Sequence, residues 1–572
     1  MSTTILPGAE KASFLPRVGT AQILLGLSIG ILVVVVAVPV LLIFLNSFWV
    51  NGQFNALDVV RVLSRGETYE ALLNSLILAG GVTVTGTIVG TFFAWLVSRT
   101  DLPFKGLMKV LFLIPFMLPS FIGALAWKML LSPRAGYINR LFMDFFGTDT
   151  PLFDIYSYQG IIMVETMYLF PFVFIQVSGA LERMDPTLEE SARISGASLF
   201  TITRKITIPL VLPSVVSGAL LIALYSMAHF GTVAVLGVEV GIYNIPTLIY
   251  EKIHQSAGNF TSIRTATVLA SVLVMTAAFI LWLQNRVLSR GHYQIIAGKS
   301  FRPTELKLRG LRIPLLLFCL AYIGFTIVLP TVTIFCVGLL KTYGLPIALE
   351  NMTLHNFEYI LFEWDLTRGA IVNSLLLGFS AAVITMFAGV IISYVIVKMR
   401  VRGKGFLEFL GMLPFSVPGS VIALGTMLAW SGKFGINIYN TAWIILVAYI
   451  ARYMAFSLKA NSAALEQVHD SLVEAARASG ATMWQALRDI VIPLVRPGML
   501  AAFFLIFLPA LRELTVSVML YGPTTRTIGV AIYTLNEDGE TVYAAALAGV
   551  ALILIVTGEG LIKRLFKIGM KK

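Results

Sequence analysis

Six ionisable side chains fall inside otherwise apolar stretches: Glu165, His229, Arg452, Arg512, Glu513 and Glu559. Charge at membrane depth is costly, so each is a candidate for lining a pathway or for a buried pair that fixes helix register. Arg512 with Glu513, or Arg452 with Glu513, would make such a pair. His229, Arg452, Arg512 and Glu513 form the candidate pathway set. His229 taken alone reads first as a hydrogen-bonded packing residue. No His/Cys/Asp/Glu set in the sequence has metal-ligand spacing, so no metal ligands are assigned. Gly298-Lys299-Ser300 imitates the end of a phosphate-binding loop, but that motif needs a glycine at position 293, where Tyr293 stands, and no apolar strand leads into it. The chain therefore lacks the means to hydrolyse ATP, has no clustered catalytic constellation, and is expected to bind no cofactor of its own.

A second set of residues attracts notice by repetition. Glu190-Ser191-Ala192-Arg193-Ile194-Ser195-Gly196 recurs as Glu474-Ala475-Ala476-Arg477-Ala478-Ser479-Gly480. Each copy leads to an Ile-Pro-Leu followed by another proline: Pro209 with Pro213, and Pro493 with Pro497, at a constant offset of 284 residues. Ala192, Ala475 and Ala476 are small enough to let a helix approach another surface. Glu190 and Glu474 accept charge-assisted hydrogen bonds at a helix end. Gly196 and Gly480 permit a tight turn, and the prolines restrict the chain where it re-enters the bilayer. The repeat is wider than this segment. Asn74-Ser75-Leu76 recurs as Asn373-Ser374-Leu375, and Pro115 and Pro119 recur as Pro414 and Pro418, all offset by 299 residues. The first half thus carries an insertion, placed between Leu131 and Gln159. The paired prolines predict kinks in the third and ninth spans, fixed or hinged.

These residues must be positioned by membrane helices. Of 572 residues, 57% are hydrophobic and only 13% charged, and the mean hydropathy is +0.86. A water-soluble globule is excluded. Apolar runs of about 20 residues, enough to cross hydrocarbon, begin near Gln22, Ala71, Lys109, Gly160, Ser214 and Ile263, and again near Pro314, Gly369, Leu407, Thr441, Gly498 and Thr541. The first run, Ile23 to Leu45, is longer than a signal-peptide core and reads as a retained span. The expected fold is an all-α polytopic membrane protein with twelve transmembrane helices in two parallel six-helix repeats. An axis along the membrane normal relates such repeats. The net charge of +12 collects on one side: with a cytoplasmic N-terminus, the inside segments are strongly basic and the outside loops slightly acidic, which favours membrane orientation over nucleic acid. Both termini are then cytoplasmic, as in a bacterial-type inner membrane. The expected organisation is a tail over 1–20, a first half over 21–283, a basic linker over 284–313, a second half over 314–562 and a basic tail over 563–572. Cys319 and Cys336 lie about 25 Å apart along one predicted span and form no disulfide.

The repeated segments resemble the Glu-Ala-Ala loop of type I permease subunits of ATP-binding-cassette importers. The resemblance covers both halves and implies the type I importer (MetI-like) fold. In that family the loop is two short helices joined near the glycine, the first seated in a groove of a cytoplasmic ATPase. Ser191 stands where alanine is usual, a small change that preserves close packing. The resemblance implies two copies of a separate ABC ATPase, with ATP and Mg bound there, a periplasmic or extracellular solute-binding protein, and the lipid bilayer as partners. The run Ala510-Leu511-Arg512-Glu513-Leu514 also resembles fused ferric-iron permeases within the family. Fe(III) is the implied cargo, with phosphonate and thiamine permeases as relatives that share much of this stretch. An ion-coupled secondary transporter using Glu165, His229 or Glu513 is the rival class. It leaves both loops unexplained.

Overall fold

The computed structural model describes residues 20–50, 52–185, 187–255, 260–290, 305–399 and 401–569. Nearly all of the expected N-terminal tail and the middle of the expected linker lie outside these residues. Ten helices of the first half each have a counterpart in the second. They are α1 Gln22–Phe48, α2 Gly66–Arg99, α3 Lys105–Met117, α4 Ser120–Leu131, α5 Tyr158–Arg183, α6 Thr187–Ile194, α7 Thr203–Met227, α8 Gly231–Leu236, α9 Ile245–His254 and α10 Thr261–Ser289. The counterparts are α11 Arg309–Gly338, α12 Asp365–Lys398, α13 Lys404–Ser416, α14 Gly419–Trp430, α15 Ala442–Glu466, α16 Asp470–Ala478, α17 Met483–Leu511, α18 Thr515–Leu520, α19 Ile528–Glu537 and α20 Thr541–Gly560. Helices dominate because backbone groups in hydrocarbon must be satisfied within their own segment.

Among the described residues, ten helices are long and apolar enough to cross a membrane. The expected third and ninth spans are instead broken pairs, α3–α4 bent by 91° and α13–α14 by 115°. Proline is the cause. Pro119 and Pro418 occupy the N-caps of α4 and α14 in extended conformation, and lacking an amide hydrogen they cannot continue the preceding helix. Both corners are therefore sharp breaks, more than the kinks the sequence predicts.

The other prolines act more gently. Pro39, Pro209, Pro330 and Pro493 each follow a five-residue π-helical turn by one residue: Val33–Ala37, Thr203–Thr207, Gly324–Val328 and Leu487–Val491. A proline ring pushes away the carbonyl one turn earlier, and the helix widens to accommodate it. The consequence corrects the expected start of the fifth and eleventh spans. Helix runs unbroken through Pro209 and Pro493, so the chain is already helical at Leu199 and Met483, well before Ser214 and Gly498.

The halves are interlocked. α1 packs against α14 of the other half, where a Cβ on Gly425 would meet the Pro39 carbonyl oxygen at 2.8 Å. α11 returns the exchange, with the Tyr322 ring tilted against Phe93 of α2 at 4.7 Å and Phe325 against Trp127 of α4 at 4.6 Å. The repeated Asn-Ser pairs have one job in both halves. Ser75 Oγ accepts from the Ile245 amide at 2.9 Å and Ser374 Oγ from the Ile528 amide at 2.7 Å. Asn74 Nδ2 donates to the Tyr243 carbonyl, and Asn373 Nδ2 to those of Thr524 and Arg526. Each pair ties α2 or α12 to the start of α9 or α19, satisfying a helix N-terminus that would otherwise be orphaned. Helix continues from α10 to Arg290, into the start of the expected linker. Its far end is anchored, with Leu306 bridged to Thr100 and Lys105 paired to Glu305.

Candidate functional site: two loop helices and a central cavity

α6 and α16 stand on the same face of the molecule with no buried residue in either. Both end in the same way. Gly196 at φ +81° and Gly480 at φ +90° adopt the left-handed conformation that glycine tolerates without a Cβ penalty. The next amides, Ala197 and Ala481, reach back five residues to the carbonyls of Ala192 and Ala476, each at 3.0 Å. Glu190, Ser191, Glu474 and Ala475 are exposed, while Ala192 and Ala476 are half-buried. Leu188, Ile194 and Leu472 are apolar yet exposed beside them. Pro209 and Pro493 lie inside the continuous helices that descend from these loops. Beyond each glycine turn the helix runs widened but unbroken to Met227 or Leu511.

The structure adds residues the sequence reading missed. Arg99, its side chain 3% exposed at the end of α2, pairs with Glu189 of α6 at 3.4 Å. Glu189 also accepts from Thr207 Oγ1 at 2.7 Å. Lys398 at the end of α12 pairs with Asp470 of α16 at 2.6 Å. Arg99 and Lys398 share the 299-residue offset, and that register was the signal available to find them. Each fastens a loop helix to the end of a long span.

Midway through the molecule the helices break. α7 ends at Met227 and α17 at Leu511, so His229, Arg512 and Glu513 sit in the gaps before α8 and α18. This corrects their expected place within continuous spans. His229 Nε2 lies 2.6 Å from Ser120 Oγ, and its Nδ1 3.5 Å from Glu165 Oε1. Ser226 Oγ donates to Glu165 Oε2 at 2.6 Å. In the second half, Glu513 caps α18, accepting from the amides of Val516 at 2.9 Å and Ser517 at 3.1 Å and from Ser517 Oγ at 3.2 Å. A carboxylate suits that position because it meets unsatisfied amides and the positive end of the helix dipole. Arg452 Nε stands 3.8 Å from Glu513 Oε1. Of the two expected pairs, Arg452–Glu513 forms. Arg512 turns instead to the other half, where its Nη1 donates to the carbonyls of Phe116, at 3.1 Å, and Met117 in the α3–α4 corner.

These groups surround a cavity of about 500 Å³ between the halves, bounded by both proline corners. His229, Arg452, Arg512 and Glu513 all line it; Glu165 lies behind His229. From the breaks it extends toward the face carrying the loop helices, reaching Ile555 and Glu559. On the opposite side three rings close over it. Phe230, which lines the cavity, lies 5.3 Å from Tyr250 of α9 and 6.0 Å from Tyr533 of α19, and the two tyrosines are 6.1 Å apart. Among the described residues no three His, Cys, Asp or Glu side chains converge as a metal site.

Comparison with known proteins finds the same duplication. The family model for "binding-protein-dependent transport system inner membrane component" matches residues 86–291 and again 381–567. Both matches begin inside the second helix of their half, which leaves out the two exchanged first spans. The chain is similar to the ferric transport system permease protein FbpB of Actinobacillus pleuropneumoniae, 28% identical over 522 residues covering 91% of this chain and 74% of that protein. The putative ferric transport system permease protein FbpB 1 of Haemophilus influenzae is 28% identical over 85% of this chain and 76% of its own length. The putative 2-aminoethylphosphonate transport system permease protein PhnV of Salmonella typhimurium is 30% identical over 38% of this chain and 82% of its own length. A crystal structure of a bacterial alginate ABC transporter overlaps 44% of this chain and 87% of that one at 18% identity, with a TM-score of 0.38. Matched twice along its length, the chain belongs to the family of binding-protein-dependent transport system inner membrane components.

Proposed function

We propose that the chain is the fused permease of an ATP-binding-cassette importer, and that its cargo is Fe(III). The observation that carries the importer reading is the pair of exposed loop helices, alike in their glycine turns and each followed, across that turn, by a helix that ends at the central cavity. Two identical ATPases, one on α6 and one on α16, fit this duplicated surface, with ATP and Mg held there. The basic character of that face supports a cytoplasmic position for it and for both chain termini, in a bacterial inner membrane. The cavity then faces the cytoplasm, and the Phe230/Tyr250/Tyr533 cluster closes it to the outside. ATP-driven closure of the ATPases would draw α6 and α16 together, part the rings and admit cargo from a docked binding protein. Hydrolysis would restore the inward state.

Iron is favoured over a phosphonate because the ferric permeases match both halves and nine-tenths of the chain, whereas the phosphonate permease matches one half. His229, Arg452, Arg512 and Glu513 are the proposed pathway residues. The test is to isolate the cognate binding protein and compare its retention of Fe(III), 2-aminoethylphosphonate and thiamine, followed by uptake of the retained ligand into vesicles holding the whole complex. Retention of Fe(III) and its ATP-dependent uptake are expected. A binding protein that holds an organic ligand and ignores Fe(III) would remove iron as cargo while leaving the importer reading intact.

A further inference from the structure

The central cavity carries its charge unevenly. Two guanidiniums line it: Arg452, whose side chain is partly exposed, and Arg512, which reaches the α3–α4 corner. Both act on the phenols of Tyr225 and Tyr453, which also line it, so the two cations share one space. The carbonyls of Phe116 and Met117 hold Arg512 Nη1 in place without neutralising it. Glu513 spends its charge on the start of α18, accepting from two amides and a hydroxyl. Its contact with Arg452 Nε, at 3.8 Å, is longer than a hydrogen bond. Glu559, in the last turn of α20, acts on Arg512 from the side of the loop helices. Two helix starts then tip the balance toward positive. Ser120 and Gly419, the first residues of α4 and α14, line the cavity and bring the positive ends of both helices to it. A Cβ on Gly419 would collide with Arg452 Nη1, so glycine keeps the guanidinium its place at the wall.

From this arrangement we infer that the central cavity binds an oxyanion, and that Fe(III) passes through it inside a complex whose oxyanion oxygens, not the metal, meet Arg452 and Arg512. The inference rests on the reading of Fe(III) as cargo. Both guanidiniums and both helix starts would repel a bare trication. Carboxylate or phosphate ligands around the iron reverse the sign of that interaction, because a guanidinium presents its donors in a planar fork that fits two oxygens of one oxyanion. The cargo then brings its own metal ligands, in keeping with a chain in which, among the described residues, no three His, Cys, Asp or Glu side chains converge.

The test uses the complete importer in sealed vesicles, its binding protein loaded with radiolabelled Fe(III) in labelled citrate or labelled inorganic phosphate, with labelled 2-aminoethylphosphonate as a separate arm. A dye reports the sign of the charge moved. Iron uptake that leaves the interior neutral or negative is expected, and the label that enters with it identifies the oxyanion. Arg452→Gln and Arg512→Gln should each lower uptake about tenfold, while Arg452→Lys and Arg512→Lys, which keep the charge, should lose less. Thermal melts check that the variants are folded. Iron uptake that turns the interior positive overturns the inference and keeps iron as cargo. Iron uptake unchanged in both glutamine variants does the same. Uptake of an oxyanion without iron, lost in the glutamine variants, keeps the oxyanion site and discards iron as cargo.

Discussion

The two halves agree at their loops and differ at their centre. At the loops, α6 and α16 share the left-handed glycine, the five-residue carbonyl bond and a basic clamp from the preceding long span. At the centre, the matched positions exchange their chemistry. Ser120 and Gly419 correspond at the 299-residue offset, and His229 and Glu513 at 284. In the first half a serine hydroxyl meets a histidine backed by Glu165. In the second a glycine leaves room for Arg452, whose Nη1 would lie 1.7 Å from a Cβ there. On the proposed function, symmetry is kept where two identical partners would dock and given up where a single cargo would pass, which would separate coupling from recognition within one duplicated chain.

The largest effect should come from breaking the symmetric part. Glu474→Arg places a cation on the exposed face of α16, and Glu190→Arg does the same on α6. Each should lower ATP-dependent uptake by about tenfold or more, because like or unpaired charge at a desolvated contact costs several kcal/mol. Membrane insertion, read by protease accessibility, should be unchanged. If one loop tolerates the change and the other does not, the halves are not equivalent levers.

The next effect tests the asymmetric centre. Gly419→Ser restores the serine of the first half but collides with Arg452, displacing the guanidinium from Glu513. Only the carboxylate of this pair is buried, the Arg452 side chain being 30% exposed to the cavity, so losing the contact costs about 1–2 kcal/mol, and the thermal midpoint of the purified protein should fall accordingly. Arg452→Met should cost less than Gly419→Ser, since methionine fills volume without a charge and Glu513 keeps its three donors from α18. A Gly419→Ser protein as stable as the parent would show that Arg452 has room to move and that its pairing with Glu513 is incidental.

Much of this was legible in the sequence, and the boundary is physical. Repetition exposed the loops, and Gly196 and Gly480 announced their left-handed turns because few other residues adopt them cheaply. Hydropathy located the membrane runs but could not tell a span from two helices meeting at a corner, since α3 and α4 together are as apolar as one span. Pro119 and Pro418 held that information only once their extended conformation was known. The interlock of α1 and α11 left no local mark at all: a lipid-facing and a partner-facing apolar stripe read alike. Sequence left Arg512 and Arg452 both open as partners of Glu513; adjacency favoured neither, and the side chains of Arg512 and Glu513 diverge at the end of α17, leaving Arg452 as the partner.

A smaller effect should divide the two clamps. Arg99 is almost wholly buried while Asp470, the partner of Lys398, is 70% exposed. Arg99→Ala leaves Glu189 facing the end of α2 with only Thr207 as a donor, whereas Lys398→Ala removes an ion pair screened on the Asp470 side, worth under about 1 kcal/mol, together with one hydrogen bond to the Val468 carbonyl. Hydrogen exchange of the α6 amides should rise clearly in Arg99→Ala, and that of α16 should rise less in Lys398→Ala. Equal responses would mean that burial of the clamp does not set loop rigidity.

The smallest expected change lies at Ser120. Ser120→Gly makes the first half match the second at this position and removes one hydroxyl from His229 Nε2. The loss of a single neutral hydrogen bond costs about 1 kcal/mol, and the cavity beside it admits water to replace part of that bond. Stability should therefore fall slightly. Uptake should respond more than stability if His229 meets the cargo, because its ring would lose one of the two contacts that orient it toward the cavity. The readout is the ratio of the two changes: a fall in uptake no larger than the fall in folded protein assigns His229 to packing, and a larger fall assigns it to the pathway.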